Sequence, residues 1–436
     1  MNQESIDNRT CLVGVLGLGY VGLPLASAFL DAGFPVLGFD TDAAKIEALD
    51  RGENYLRHLG QDMTRKMMES DRFEATTDFD RLSEPDAVLL CVPTPLGEHR
   101  EPDLSYVRQS TEMAAKTLRK GQLVVLESTT YPGTTRDLMG QILERTGLKA
   151  GEDFLLAYSP EREDPGREGV TTSAIPKLVG GTCDRSSDVA FRLYDAAIAS
   201  VYQVESAEVA EAAKLTENIF RAVNIALVNE LKVIYDAMDI DVWSVLDAAA
   251  TKPFGYMKFT PGPGLGGHCI PIDPFYLTWV ARRIGRPTKF IELAGEINTD
   301  MPRYVVQRTM LALNAVGKAM RGARIVVLGL AYKPDVDDIR ESPAIPLLEL
   351  LRELGAEVRY SDPHVPAGHK MREHDLSEEK SLDLDAETLA SMDAVIVATD
   401  HAAFDWDLIA ENAPLVVDTR NALASRLHGK THYFKA

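Results

Sequence analysis

Residues Cys11-Leu12-Val13-Gly14-Val15-Leu16 are followed directly by Gly17-Leu18-Gly19-Tyr20-Val21-Gly22. The first run is apolar and strand-like, and the residues after the second run are compatible with a helix, so the glycines lie at a strand-to-helix turn. In that context the GxGxxG pattern, which is weak alone, predicts a dinucleotide site; a purely structural glycine turn is the alternative. Gly17 permits the tight turn, Gly19 lets a pyrophosphate approach the backbone, and Gly22 lets helix and strand pack closely.

Asp40 ends the next strand-like segment, 18 residues after Gly22. This is near the spacing at which a ribose-binding acid follows the glycine turn. A carboxylate accepts hydrogen bonds from a free 2′-hydroxyl and repels a 2′-phosphate, so the sequence predicts NAD rather than NADP. Lys45 and Arg51 are close in sequence, and we interpret both as ordinary helix-surface cations.

From the strand at 11–16 onward, strand-like runs alternate with helical patterns up to about residue 200. This alternation is typical of a parallel sheet with helices on both faces. The predicted strands are 11–16, 35–39, 87–92, 123–127, 154–158 and 177–180.

Residues 205–238 contain no Gly or Pro and predict one helix about 50 Å long. A helical region with a Gly/Pro-rich insert at 252–274 continues to about residue 315. Strands are then predicted at 324–330, 357–360, 394–398 and 415–418. The second α/β unit opens with Leu328-Gly329-Leu330-Ala331-Tyr332-Lys333, which lacks the full glycine pattern, so we do not expect it to bind a second dinucleotide in the same way.

The predicted fold is α/β, with two Rossmann-like doubly wound domains joined by a long central helix. The predicted domains are an N-terminal NAD-binding Rossmann domain at 1–204, a central helical domain at 205–315, and a C-terminal Rossmann-like domain at 316–436. We expect substrate in the crevice at the carboxyl ends of the strands.

Composition narrows the classes of partner. The chain has 436 residues and a net charge of 46 − 66 = −20, which disfavours nucleic acid and anionic membranes and requires a local cluster of cations for any anionic ligand. The apolar stretch 11–30 contains Gly and Pro and lacks a basic flank, so it does not resemble a signal peptide. The cysteines are widely spaced without a CxxC pair, which predicts no metal site, no disulfide framework and a cytoplasmic protein with reduced thiols; they are Cys11, Cys91, Cys183 and Cys269.

The segment Gly266-Gly267-His268-Cys269-Ile270-Pro271-Ile272-Asp273 resembles the active-site segment of the UDP-glucose/GDP-mannose dehydrogenase family. The resemblance spans almost the whole chain, because further motifs occur in order. They are the glycine turn with Leu23-Pro24, Val92-Pro93-Thr94-Pro95, Glu127-Ser128-Thr129-Thr130-Tyr131-Pro132-Gly133-Thr134, Ser159-Pro160-Glu161-Arg162, Ala213-Lys214-Leu215-Thr216-Glu217-Asn218 and Lys333-Pro334-Asp335-Val336-Asp337-Asp338-Ile339-Arg340-Glu341-Ser342.

The resemblance implies oxidation of the C6 alcohol of a nucleotide sugar to a carboxylate, with reduction of two NAD molecules and no release of the aldehyde. A thiolate can add to the aldehyde, and the thiohemiacetal can lose a second hydride to give a thioester that water cleaves. Cys269 is the predicted nucleophile, the alternative being a small buried core residue. Glycine N–H groups or a cation should favour its thiolate, and a direct role for His268 is left open.

Other roles are carried over by the same resemblance. Lys214 and Asn218 stand four residues apart on the long helix and share one face. Lys214 is implied to stabilise the oxyanion or to assist proton transfer, and Asn218 to share the stabilisation of the oxyanion. Asp273 is implied to activate water or take the hydroxyl proton, and Glu161 to position or activate the hydrolytic water, which Thr130 hydrogen-bonds. The alternatives are a solvated cation for Lys214 and a surface ion pair for Glu161.

The resemblance also makes 205–315 the dimerisation domain with the catalytic Cys loop and 316–436 the nucleotide-sugar (UDP)-binding domain, and it implies ligand contacts. Lys333 is a substrate-binding cation and Arg340 reaches the cofactor pyrophosphate. The expected cofactor-binding set is Gly17, Gly19, Tyr20, Val21, Gly22, Asp40, Thr94, Glu127, Thr129 and Arg340. The expected substrate-binding set is Glu161, Arg162, Lys214, Asn218, Gly266 and Lys333. Members of the family pair through the central helices, so a homodimer is expected, and Lys252 or Lys258 could enter the partner's site.

The choice of sugar follows the segments around Glu161 and Cys269, which look most like the bacterial branch that oxidises UDP-N-acetylglucosamine for surface polysaccharides. UDP-glucose, UDP-N-acetylmannosamine and GDP-mannose remain open. Two other classes compete. One is a β-hydroxyacid dehydrogenase, which would need neither the thiol nor the second α/β unit, and the other is a non-catalytic NAD-binding protein with an inert or redox-sensing Cys269.

Overall fold

The computed structural model describes residues 3–56, 61–97, 101–162, 174–267, 270–371 and 374–436. His268 and Cys269 therefore lie outside the described residues. The chain divides into two compact units. The first contains Met1–Glu217 and Phe275–Arg286, and the second contains Asn218–Pro274 and Pro287–Ala436. The three-part division at 204 and 315 stays a prediction.

The first unit is built on an eight-stranded sheet of order β3-β2-β1-β4-β5-β6-β7-β8. All neighbouring strands are parallel except β6 and β7, which are antiparallel. The strands are β1 Val13–Leu16, β2 Val36–Phe39, β3 Phe73–Thr76, β4 Ala87–Leu90, β5 Leu123–Leu126, β6 Leu155–Tyr158, β7 Lys177–Gly181 and β8 Val201–Gln203.

All six strands predicted for this unit are confirmed. The sequence did not predict β3 and β8, because both are edge strands with few buried residues. In β5, Leu123 and Val125 join one apolar cluster while Val124 and Leu126 join another. Both faces of the sheet are therefore covered, as predicted.

The helices that accompany this sheet are short. They are α1 Gln3–Asp7, α2 Gly22–Asp31, α3 Ala43–Asp50, α4 Gln61–Met68, α5 Ser105–Thr117, α6 Gln141–Glu144 and α7 Asp184–Asp195. A 3₁₀ turn covers Phe79–Ser83, and a π-helical segment covers Thr134–Gly140 directly before α6.

The long predicted helix is confirmed as α8 Ala207–Ala237, whose 31 residues span about 47 Å. It begins in the first unit and ends in the second. Three more helices follow, namely α9 Val242–Ala250, α10 Asp273–Arg283 and α11 Lys289–Ala315. Helix α9 begins where the Asp241 side chain accepts the N–H of Trp243, an ordinary N-cap.

The second unit contains a five-stranded parallel sheet of order β10-β9-β11-β12-β13. Its strands are β9 Arg324–Leu328, β10 Glu357–Ser361, β11 Ala394–Val397, β12 Val416–Asp418 and β13 Tyr433–Lys435, and its helices are α12 Ala344–Glu353, α13 Ala386–Ser391, α14 Trp406–Asn412 and α15 Ala424–Leu427. The four predicted strands are confirmed. Strand β9 ends earlier than predicted because Gly329, with φ of +85°, turns the chain.

Candidate active site

The backbone of the turn between β1 and α2 requires glycine at two positions, whether or not a ligand is bound. Gly17 has φ of +96°, and a Cβ there would lie 2.3 Å from the carbonyl oxygen of Cys91. A Cβ at Gly22 would lie 1.8 Å from the carbonyl oxygen of Gly17. At Gly19 a Cβ would meet nothing within 4 Å. The open backbone at Gly19 beside the N-terminus of α2 fits a dinucleotide pyrophosphate.

Asp40 directly follows β2 and is 6% exposed. Its Oδ2 accepts the N–H of Leu18 at 2.9 Å and its Oδ1 accepts the N–H of Asp42 at 3.0 Å, so the carboxylate is fixed against the glycine turn. Lys45 lies on α3 with its side chain 31% exposed, in keeping with a helix-surface cation, but its Nζ lies 2.9 Å from Asp40 Oδ2, a contact that the sequence did not indicate. Arg51 pairs with a neighbouring glutamate on the surface, as expected.

The remaining predicted cofactor residues of this unit occupy different environments. Thr94 is 4% exposed, and its main-chain oxygen accepts the hydroxyl of Tyr276 at 2.8 Å. Thr129 is half-buried. Glu127 is completely buried and binds the ammonium of Lys177 and the hydroxyl of Tyr194. Its carboxylate is thus already bound to two side chains of the same unit, and its contact with the cofactor stays a prediction.

Thr130 is fully buried, and its hydroxyl donates to that of Thr134 at 2.6 Å. The same turn is attached to α8 by Glu211. The Glu211 carboxylate accepts the N–H of Gly133 at 2.6 Å, the N–H of Thr135 at 2.9 Å and the Thr135 hydroxyl at 2.7 Å. Burial raises the pKa of Glu211 to about 7, against these hydrogen bonds, which lower it.

Glu161 is not part of a surface ion pair. Its side chain is 13% exposed, its Oε1 accepts the N–H of Arg162 at 2.6 Å, and its Oε2 lies 3.8 Å from Lys177 Nζ. Arg162 pairs instead with Glu217 on α8 at 2.7 Å. Sequence reasoning did not identify Lys177 as a site residue, since the surrounding β7 sequence appeared only as a buried strand.

Lys214 on α8 is 5% exposed, so the alternative of a solvated helix cation is wrong. Among the described residues, no carboxylate oxygen lies within 4.0 Å of its Nζ. Burying an ammonium without a partner is costly, so this position favours an anionic or strongly polar ligand group.

Asn218, also on α8, is 5% exposed, and Asp273 at the first position of α10 is 2% exposed. The Asn218 Nδ2 donates to Asp273 Oδ2 at 2.5 Å. Two residues predicted for the site from separate motifs are thus in direct contact. Since α8 is one continuous helix, Lys214 and Asn218 lie one turn apart on it.

The loop that leads to Cys269 needs its glycines. Gly264 and Gly267 have φ of +142° and +86°, and a Cβ at Gly266 would lie 2.4 Å from that of Tyr332. The Gly267 N–H donates to the carbonyl oxygen of Arg340 at 3.0 Å. Because Cys269 and His268 lie outside the described residues, their chemistry stays a prediction.

Two buried asparagines, which the sequence analysis missed, hold the start of this loop. The Asn229 Oδ1 on α8 accepts the N–H of Gly262 at 3.0 Å, and its Nδ2 donates to Asn298 Oδ1 on α11 at 2.9 Å. Asn298 Nδ2 in turn donates to the carbonyl oxygen of Ala222 at 3.1 Å. An asparagine within a helical sequence has no local pattern that indicates its partner, so neither residue was predicted to hold the loop.

Three cations of the second unit, Lys333, Arg340 and Arg420, differ in their surroundings. Lys333 is half-buried. The Arg340 guanidinium binds Asp338, with 2.9 Å from Nε and 2.6 Å from Nη2. Arg420, another residue that the sequence analysis missed, lies against Gly262, and burial lowers its pKa although Asp400 and Asp418 oppose that shift.

Asp362 follows β10 as Asp40 follows β2, but its carboxylate is differently used. Its Oδ2 accepts the N–H groups of Leu330 at 2.7 Å and Ala331 at 2.9 Å, and it lies 3.0 Å from His401 Nε2. Its Oδ1 also accepts the N–H groups of His364 and Val365, so each oxygen of Asp362 holds one more donor than the corresponding oxygen of Asp40 and less capacity is left for a ribose. This gives a physical reason for expecting no second dinucleotide in this unit.

A cluster beside Asp362 contains three residues of metal-ligand type, Asp335, His364 and His401, with ligand atoms within 4.8 Å of one another. However, His401 Nδ1 accepts the N–H of Asp335 at 2.9 Å, and its Nε2 faces Asp362. Both ring nitrogens of His401 are therefore in hydrogen bonds, and the arrangement is explained as a polar network.

The fold and the glycine turn together define a class, that of NAD-binding oxidoreductases with two Rossmann-like sheets. No helix in the described part of the chain combines the length and the apolar character needed to cross a membrane.

The chain belongs to the UDP-glucose/GDP-mannose dehydrogenase family. Its NAD binding domain matches residues 11–198, its central domain matches residues 208–300, and its UDP binding domain matches residues 326–425. The predicted NAD cofactor is therefore confirmed. The match of all three parts leaves the β-hydroxyacid dehydrogenase alternative without support.

Similar proteins carry names for more than one sugar. The chain is 36% identical over 402 residues to the UDP-N-acetyl-D-glucosamine 6-dehydrogenase of Pseudomonas aeruginosa, covering 92% of each chain. It is 34% identical over 420 residues to the UDP-N-acetyl-D-mannosamine dehydrogenase of Pyrococcus horikoshii, covering 94% of this chain and 96% of the other. A solved structure of a UDP-D-ManNAc dehydrogenase from Pyrococcus horikoshii matches with a TM-score of 0.88 and 31% identity, covering 97% of this chain and 98% of the other.

Proposed function

We propose that this chain catalyses the four-electron, NAD-dependent oxidation of the C6 alcohol of a nucleotide sugar to a carboxylate. The observation that carries the proposal is the buried contact between Asn218 and Asp273, and Asp273 follows Cys269 by four residues in the sequence. An amide and a carboxylate held together in a buried position can bind a hydroxyl and manage its proton.

The glycine turn and Asp40 would hold NAD, which would supply the hydride acceptor for each oxidation at C6. In the first, Asp273 takes the hydroxyl proton, and Asn218 and Lys214 hold the developing oxyanion. The Cys269 thiolate then adds to the aldehyde carbon and keeps it on the protein. After the second oxidation, water hydrolyses the resulting thioester, with Thr130 holding the water and Glu161 receiving its proton.

The preferred substrate in this proposal is UDP-N-acetylglucosamine, for the synthesis of a surface polysaccharide. Its support is the sequence around Glu161 and Cys269 together with the name of the Pseudomonas aeruginosa relative. UDP-N-acetylmannosamine is the nearest alternative, supported by the name of the Pyrococcus horikoshii relative, and UDP-glucose and GDP-mannose remain in the set to be tested. Lys333 and Arg162 are the proposed substrate contacts.

We test this by incubating the purified protein with NAD and each of the four nucleotide sugars separately, and by measuring NADH formed per sugar consumed. Two NADH per acid from one donor would support the mechanism and name the substrate. One NADH with an aldehyde product would contradict the role of Cys269. NAD binding without turnover on any donor would favour the non-catalytic binding protein.

The proposed assembly is a homodimer formed through the central helices, in the cytoplasm. Its support is a stripe of exposed apolar side chains at seven-residue spacing on α8, formed by Phe220, Leu227 and Ile234. Such a stripe is typical of a surface that packs on another helix. Lys258 pairs with Asp247 of its own chain, and Lys252 lies over the ring of Phe254 at 5.0 Å, so entry of either into a partner's site stays a prediction.

A further inference from the structure

Lys177 at the start of β7 is a charged side chain that the proposed mechanism does not use. It is 3% exposed, and its ammonium binds the Glu127 carboxylate and lies 3.8 Å from Glu161 Oε2. The ring of Tyr194 lies 5.5 Å from the same nitrogen. An ammonium in such a place is stable only with its carboxylate partners, so the three charges form one unit.

The two carboxylates of this unit are not equivalent. Glu127 is completely buried, and the Tyr194 hydroxyl donates to its other oxygen. Burial raises the pKa of Glu127, although Lys177 and Tyr194 oppose that shift. Glu161 keeps some exposure, and its Oε1 is fixed by the N–H of Arg162. Glu127 therefore serves as the close partner of the ammonium, and Glu161 is the member that lies further from it and keeps 13% exposure.

The charge of the unit changes during hydrolysis. One ammonium and two carboxylates sum to −1, and a proton taken up by Glu161 makes the unit neutral. Lys177 and Glu127 balance each other, so a proton transferred to Glu161 leaves the buried unit without a net charge. Lys177 also pulls Oε2 inward while Arg162 holds Oε1, which fixes the plane of the Glu161 carboxylate.

We propose that Lys177 is a positioning residue for thioester hydrolysis, holding the Glu161 carboxylate in place to receive the proton of the attacking water. The inference rests on the proposed function. In this step the water oxygen bonds to the acyl carbon, and the carbon–sulfur bond breaks with its electron pair left on Cys269. One water proton goes to Glu161, the other stays on the carboxyl product, and no electron is gained or lost.

The test separates this role from simple stability. Removing Lys177 alone leaves two buried carboxylates without a cation, which is expected to destabilise the fold. The double variant Lys177→Met/Glu127→Gln removes both charges of the close pair and leaves Glu161 without its cation. Glu127→Gln alone is the matched control, because it retains Lys177. A second double variant, Lys177→Gln/Glu127→Gln, replaces the ion pair by an amide pair and is measured alongside in case the methionine version does not fold.

Each variant is mixed with NAD and the donor that the wild type oxidises, and NADH is followed from the first turnover. In the double variants we expect a rapid release of two NADH per subunit, then a steady state at least about tenfold slower than in Glu127→Gln. Mass spectrometry of the quenched protein should show the acyl group on the peptide that contains Cys269. Introducing Lys177→Met/Glu127→Gln into a Glu161→Gln background should slow hydrolysis no further.

Two outcomes would overturn the inference. One is hydrolysis in the folded double variant as fast as in Glu127→Gln. The other is a loss of rate in all steps alike, without an acyl-protein, which is what a purely structural role predicts. If the wild type itself releases no NADH with any donor, the proposed function fails, whereas normal wild-type turnover with either outcome above removes only the role of Lys177.

Discussion

Among single residues, two glycines of the turn between β1 and α2 are required by the fold itself, whereas a third is explained by the cofactor. Gly17 and Gly22 are required by their own surroundings, since a Cβ at either would overlap backbone oxygen atoms. Gly19 faces open space. Its lack of a side chain has no use in the fold, and it is explained by the close approach of a pyrophosphate.

Replacing Gly19 and Gly22 by alanine should therefore give opposite results. Gly19→Ala should fold with an unchanged melting temperature but bind NAD at least about tenfold more weakly, because its methyl group would occupy the place of the pyrophosphate. Gly22→Ala should lose about 2 kcal/mol or more of stability. Calorimetric titration with NAD and thermal unfolding measure the two effects. Unchanged NAD affinity in Gly19→Ala would contradict this account of the turn.

Residues of the site differed in how well the sequence predicted them. The glycines, Asp40, Asn218 and Asp273 carried motif signals, and the structure gives each a specific environment. The contacts of Lys45 and Lys177 could not be predicted. Each depends on a side chain brought close by folding, and a lysine in a helix or strand has no local pattern that names its partner.

At the scale of elements, α8 is tied to the turn that contains Thr130. Glu211 binds three donors of residues 133–135, and it stands one helical turn before Lys214. Glu208 and Asp137 are charged groups nearby, and both pair with Arg136. The Glu211 carboxylate thereby fixes the π-helical segment against α8.

The raised pKa of Glu211 predicts a pH dependence of stability. Its folded pKa of about 7 exceeds the ordinary 4.5, so between these values the folded state holds a proton that the unfolded state has lost. Stability from this group is therefore fully present below about pH 4.5 and falls as pH rises towards 7, by on the order of 3 kcal/mol. Glu211→Gln cannot titrate, and its urea-unfolding free energy should fall less steeply between pH 5 and 7 than that of the wild type.

Glu208→Gln is the matched control for this measurement, since Glu208 lies on the same helix and is 24% exposed. It should retain the wild-type slope. Equal slopes in Glu211→Gln and wild type would show that Glu211 does not take up a proton in this pH range.

Sequence periodicity predicted the long helix more accurately than the edge strands. Helix α8 was predicted within two residues at each end because a long run without Gly or Pro has few other solutions. Strands β3, β8 and β13 were missed because they lie at the edges of their sheets and have at most one buried residue each, so their pairing with a neighbouring strand, more than their own composition, makes them strands.

At the scale of the whole molecule, the exposed stripe on α8 predicts the state of assembly. Leu227 lies at its centre and is 49% exposed. Leu227→Glu should convert a dimer into a monomer in light scattering, because a charge cannot be buried against a second apolar helix. Leu354→Glu, at an exposed leucine 40% accessible after α12, is the control and should not change the mass. A wild-type monomer at micromolar concentration would contradict the proposed assembly.

The arrangement of the two sheets could be predicted from the sequence. Alternating strands and helices predicted both sheets and their parallel character, since this pattern permits few topologies. The sugar could not be predicted in the same way. It depends on a small number of contacts to the C2 substituent and the base, and relatives at about 35% identity are named for different sugars.

The proposed mechanism requires Cys269 to keep the aldehyde covalently bound until it is oxidised to the acid. The most direct measurement compares Cys269→Ala with the wild type, quantifying uronic acid formed from the preferred donor together with NAD affinity. We expect no acid from the variant and unchanged NAD binding, because the nucleophile is lost while the glycine turn is intact. Full acid production by Cys269→Ala would contradict the thioester mechanism.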